Sequence, residues 1–184
     1  MSDRRRAAAA FALLLALVAP SSVTGQRAEP AALACADAAL PAAILAGPAT
    51  LAPRKALKTV SLDAPRARLT LAIAGTSATR ELGLMCVTHL RPHAGMIFVF
   101  SQAARWEFWM KNTLVSLDMI WVGGDGTVDA VAANVPPSTL ETSDEDVARR
   151  SGDGLYVIEL AAGEAASDGI VKGLRFRLPA RGIH

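Results

Sequence analysis

The densest run of chemistry-bearing side chains in the sequence is Trp109-Met110-Lys111-Asn112-Thr113, followed shortly by Asp118. It sets an amine, an amide and a hydroxyl in consecutive positions between two apolar stretches, with a carboxyl close behind. All three tryptophans, Trp106, Trp109 and Trp121, fall in this region, although aromatic residues make up only 5% of the chain. Small-ligand sites are built as an apolar lining with a few placed polar groups. The expected ligand-binding set is therefore Trp109, Met110, Lys111, Asn112, Thr113 and Asp118, with Phe108 extending the apolar platform. Asp118 lies between Leu117 and Met119 on an apolar stretch. It must face solvent or be buried with a cation or hydrogen-bond donors, because unpaired burial is costly. Lys111 is the nearest candidate partner in the sequence. The competing reading is a plain connection between strands, with the tryptophans and methionines serving as core.

Two other chemistries compete with simple binding. In a hydrolase-type enzyme, Asp118 or Glu159 would act as general acid or base, tuned by Lys111, with Thr113 a weak nucleophile. The sequence carries no serine elbow, Cys–His signature, phosphate-binding loop or dinucleotide fingerprint, so no catalytic set can be assigned. A soft-metal protein, handling copper, would draw on Met85, Cys86, His89, His93, Met96 and Met110. Pro92 interrupts the His89–His93 spacing, and methionine is also a common core filler. No metal or cofactor is part of the main expectation.

Whatever the chemistry, strands must position it. Leu69, Leu71 and Ile73 alternate with Arg68, Thr70 and Ala72, the period of a half-buried strand. Thr76 or Ser77 can cap a short helix through Leu82. Apolar strands are expected at Gly95–Phe100, Trp106–Met110 and Leu114–Val122. The turn Gly123-Gly124-Asp125-Gly126 leads into a partner strand over Thr127–Val135. A polar surface loop over Ser138–Gly154 precedes strands at Gly154–Leu160 and Ile170–Leu178, with a helical turn at Gly163–Asp168 between them. The pattern predicts a mainly-β domain, a small β-sandwich or barrel-like fold with one or two short helices.

The start of the chain has a different purpose. Arg4-Arg5-Arg6 precede an unbroken apolar run, Ala7–Val18, which Pro20 ends. That is the pattern of a secretory signal peptide, and the run is short of the ~20 residues that span a bilayer. The expected organisation of the 184 residues is a signal peptide over 1–25, an Ala/Pro-rich flexible arm over 26–58 with one short helix near Ala36–Leu40, and a β domain over 59–184. Residues 1–25 hold three arginines and one aspartate, which account for the whole formal charge of +2. A neutral mature chain gives no electrostatic footprint for nucleic acid. Membrane contact is expected only through an uncleaved signal segment. In an oxidising periplasm Cys35 and Cys86 are able to pair, which would stabilise by roughly 4 kcal/mol in the chain-entropy model; two separate thiols is the alternative.

The residues also carry a resemblance. Gly83-Leu84-Met85, Gly95-Met96-Ile97-Phe98, Trp109-Met110-Lys111-Asn112-Thr113 and Leu117-Asp118 resemble the successive motifs of the DUF192 family, a domain of unknown function. Glu159-Leu160, Gly163, and Gly169-Ile170 before Gly173 are similar to its closing elements. The likeness runs from about Arg68 to Leu178. It implies a small mainly-β fold, often behind an export signal, and no settled activity. Where the family usually has an aromatic residue or histidine and then arginine after Gly-Leu-Met, this chain has Cys86 and Val87. If that arginine serves a ligand in relatives, this chain must use another cation, or none. The expectation is an exported, periplasmic protein that binds a small molecule or an envelope peptide.

Overall fold

The computed structural model describes residues 57–139, 141–179 and 182–183. The signal segment, nearly all of the arm with its short helix, and Cys35 lie outside the described residues, and the expected Cys35–Cys86 pairing with them. No helix among the described residues is long and apolar enough to cross a membrane.

The mainly-β expectation holds. The strands are β1 (Thr59–Asp63), β2 (Arg68–Ala74), β3 (Ala94–Trp109), β4 (Leu117–Val122), β5 (Val128–Val135) and β6 (Arg149–Ala161). They form one six-stranded sheet in the order β1-β2-β3-β6-β4-β5. Only the β2–β3 pair is parallel. A parallel neighbour requires the chain to cross back over the sheet. Helix α1 (Ser77–Leu82) and the segment that follows make this crossing. Thr76 caps α1: its side chain accepts from the Thr79 amide at 3.2 Å, and the Thr79 hydroxyl accepts from the Thr76 amide at 3.0 Å. The reciprocal pair satisfies two amide donors that a helix start leaves open.

Strand alternation divides the core between two faces. On the first face Met96, Phe98, Met119, Trp121 and Val157 pack with Leu84, Val87, Met110 and Val147 from the connecting segments. On the second, Ile97, Ile120, Val122, Ile158 and Leu160 pack with Ala165 of helix α2 (Glu164–Ser167) and with Ile170, Phe176 and Ile183 of the C-terminal segment. Loops and two short helices, rather than a second sheet, cover both faces among the described residues.

Several boundaries differ from expectation. The two strands expected at 95–100 and 106–110 are one strand, β3, whose register against β6 shifts between Val99 and Ala104. Such an irregularity bends a strand without ending it. Even spacing keeps Phe98, Phe100, Trp106 and Phe108 on one side of the strand, and the bend brings the two halves of that side together, with Phe100 stacked on Trp106 at 3.8 Å and Phe98 edge-on to Phe108 at 4.8 Å. β6 starts at Arg149, inside the expected loop, because it must pair with the far half of β3. β4 begins only at Leu117. The expected last strand at 170–178 is absent: the segment makes a single bridge, Thr127 to Arg175, and serves as apolar cover for the second face. At the centre of the sheet β3 and β6 approach so closely that a Cβ on Gly95 would fall 1.9 Å from the Glu159 carbonyl oxygen. Only glycine fits there, directly beside the strand position that carries the site.

Candidate functional site

The bend in β3, the end of α1 and the Lys111–Thr113 turn enclose a cavity of about 200 Å³ on the first face. Its apolar wall is Phe98, Phe100, Trp106 and Phe108. Arg80, Glu81 and Glu107 stand around it with Lys111, and Glu159 of β6 contributes a carboxyl. Glu159 pairs across the sheet with Met96 on β3 and Met119 on β4, both completely buried on the first face. Its side chain therefore rises from the middle of the sheet towards the cavity.

Glu159 is only 4% exposed. Among the described residues its carboxyl has no hydrogen-bond or ion-pair partner; Lys111 binds Asp144 and Arg80 binds backbone carbonyls instead. Burial alone pushes its pKa up to about 8. With no donor or cation to stabilise the charged form, desolvation favours the neutral acid. At neutral pH the floor of the cavity therefore holds mostly a protonated carboxyl, able both to donate and to accept a hydrogen bond.

The cations nearby are already engaged. Arg80 donates to the carbonyls of Gly75 and Val99, each at 2.9 Å, and lies 5.1 Å from the Phe100 ring centroid. Lys111 pairs with Asp144 across the turn. That bond, with the lysine's charge behind it, holds the exposed Asp144 carboxyl below its usual range.

The structure divides the six residues singled out in the sequence. Trp109, Lys111 and Thr113 line the cavity. Trp109 is 40% exposed, with the Arg149 guanidinium 5.0 Å from its ring centroid. Met110 is core on the first face. Asn112 makes the turn. Its φ is +51°, a left-handed conformation that asparagine tolerates better than most residues, and its carbonyl accepts from the Cys86 amide at 2.8 Å. Its side-chain oxygen is buried without a partner.

Asp118 is separated from this group. It shares the second face with Ile120 and Val122 and is fully buried. Its two carboxylate oxygens accept from the amides of Asn134 at 2.8 Å and Ala165 at 2.9 Å. The expected Lys111–Asp118 partnership does not form: Lys111 stands in the turn beyond β3 and binds Asp144, while alternation along β4 turns Asp118 to the second face. The alternative expectation for Asp118, burial with hydrogen-bond donors, is what the structure has.

The soft-ligand set also fails to converge. Met96 and Met110 are core, while the His93 Nδ1 lies 2.9 Å from Asp168 beside α2. Among the described residues no group of three or more His, Cys, Asp or Glu side chains could hold a metal ion. Sequence reasoning had Glu159 only as a general acid or base and Phe108 as part of the apolar platform, and did not include Arg80, Phe98 or Phe100. One signal was present: Glu159 is the single carboxyl in the otherwise largely apolar Tyr156–Leu160 run.

The model of a family described as DUF192, an uncharacterized ACR, matches residues 59–178. Two solved structures are similar. One, a candidate transcription regulator from Sinorhizobium meliloti 1021, is 32% identical with a TM-score of 0.56; the match covers 65% of this chain and 91% of that one. The other, a protein of unknown function from Novosphingobium aromaticivorans DSM 12444, is 30% identical with a TM-score of 0.54, over 78% of this chain and 96% of that one. No curated protein matches the chain significantly.

Proposed function

The chain belongs to the uncharacterised DUF192 family, and from that premise we propose that it is a small-ligand binding protein of the cell envelope, with the first-face cavity as its site. One observation carries the reading: an unpartnered, buried carboxyl at the floor of a cavity whose wall is aromatic. Proteins rarely leave a buried polar group unsatisfied. A group left so at the base of a hollow is positioned for something that enters it. The basic and apolar start of the sequence supports the compartment. Without that segment the chain is formally neutral, which gives no electrostatic support for nucleic-acid binding.

Acid–base catalysis is a second reading, and it moves from Asp118 to Glu159. Asp118 has both oxygens bound to backbone amides on the other face, whereas Glu159 has a proton affinity near working pH, as a general acid needs.

Thermal unfolding of the purified chain against a panel of small envelope-derived compounds tests the binding reading. At least one compound is expected to raise the midpoint by several degrees, and Glu159→Leu, which caps the floor with an apolar side chain, abolishes the rise. A panel without effect, or one that acts equally on the variant, would contradict the assignment.

A further inference from the structure

Resting on the ligand-binding reading of the same cavity, we infer that its ligand carries a small ammonium group, seated on the Glu159 carboxyl between the rings of β3. The charges already present select for it. Arg80 is held by two backbone carbonyls and Lys111 by Asp144. An anionic ligand would have to displace a partner from one of them while facing a buried carboxyl. Glu107 at the rim lies 3.4 Å from Arg149. The ionisable side chain that remains without a partner in the depth of the cavity is Glu159, and an ammonium supplies both the opposite charge and the missing donors.

The wall points the same way. Phe98, Phe100, Trp106 and Phe108 share one side of β3 by strand alternation, and the bend at its register shift gathers them into contact. Aromatic faces carry negative electrostatic potential and attract cations, most strongly where water is excluded. Carboxylate and rings together form a seat for an alkylammonium, free or on a lysine side chain.

Binding then exchanges ions. The ligand-free acid holds its proton up to a pH of about 8. When R–NH3+ enters, the Glu159 O–H breaks, its proton goes to solvent, and the carboxylate formed pairs with the ammonium. Below about pH 8 one proton is released per ligand, and affinity rises with pH until the carboxyl is already ionised. From the packed elements, the residues facing Glu159 are uncharged Met96 on β3 and Met119 on β4. Around the cavity, Arg80 and Glu81 come from α1, Glu107 from β3 and Lys111 from the turn.

Calorimetric titration of the purified chain at pH 6.5 with butylammonium, butanol and butyrate tests this, with Nα-acetyl-lysine methylamide as a fourth probe. Butylammonium is expected to bind at least tenfold more tightly than its neutral and anionic isosteres. Heats in two buffers of different ionisation enthalpy should report close to one proton released, falling towards zero at pH 9. Glu159→Gln, with its fold checked by circular dichroism, should weaken butylammonium at least tenfold. Comparable binding of the lysine probe would identify a lysyl side chain as a source, and binding of butylammonium alone a free amine; both support the ammonium seat. Preferred binding of butanol or butyrate would overturn the ammonium assignment and leave the cavity as a ligand site. No binding by any probe would remove both.

Discussion

Two buried carboxyl side chains stand on neighbouring strands of this sheet, back to back. Asp118 on β4 faces the second side and Glu159 on β6 faces the first, one cross-strand position apart. Asp118 accepts two backbone amides, one at the end of β5 and one at the start of α2. It ties the end of β5 and the start of α2 to β4, under a cover of C-terminal apolar side chains. Glu159 accepts nothing and opens on a hollow. The same functional group is thus structural on one face and available on the other. The difference lies in whether the backbone supplies donors, since a buried acceptor with full partners has no capacity left for a ligand.

The contrast is most sharply exposed by removing each carboxyl. Asp118→Ala leaves two amides without acceptors, at roughly 1–3 kcal/mol each for a buried group. A loss of about 2–6 kcal/mol in urea-induced unfolding is expected; a loss below about 1 kcal/mol would show that Asp118 does not anchor the second face. Glu159→Gln should behave oppositely and depend on pH. The folded-state pKa of Glu159 is raised from 4.5 to about 8. The folded chain therefore holds a proton that the unfolded chain has released across that window. Its contribution to stability is fully present below about 4.5, is lost as pH rises through 8, and is constant above. At about 1.4 kcal/mol per unit the upper limit is about 5 kcal/mol. Glu159→Gln should be close to native at pH 5 and more stable than native at pH 9. Parallel pH profiles for the two proteins would contradict it.

A smaller effect lies at the edge of the second face. The hydrogen bond to Asp168 raises the His93 pKa above its ordinary value of 6.5. The stabilising share of this pair is complete below about 6.5 and fades as pH rises through the folded value. His93 is half exposed, so unfolding will register little. The histidine ring signal in an NMR titration should instead move towards 6.5 in Asp168→Asn, and an unchanged midpoint would sink the pairing.

Local patterns in the sequence revealed most of the fold. The alternation at Leu69–Ile73 is β2, Thr76 caps α1, and the Gly123–Gly126 turn joins β4 to β5. Non-local pairing was not legible. β3 continues through Ser101–Ala103 because β6 supplies a partner on both sides of the bend, and no window of sequence contains that partner. The apolar residues at 170–178 read as a strand, but they cover a face without joining the sheet. For the candidate site, Trp109, Lys111 and Thr113, grouped by their composition, line the cavity. Asp118, grouped with them by proximity along the chain, lies on the other face through strand parity. Asn112 was read as a binding group, but its backbone conformation gives it the turn. Arg80 and the β3 rings reach the cavity only through the crossover and the bend.

The most direct measurement is the titration of the Glu159 side-chain carboxyl by carbon-13 NMR in the ligand-free protein. A midpoint near 8, with the neutral acid predominant at pH 7, is the expected result. A midpoint near the ordinary 4.5 would mean that water or another group already satisfies the carboxylate, and the cavity would lose the feature that marks it as a site.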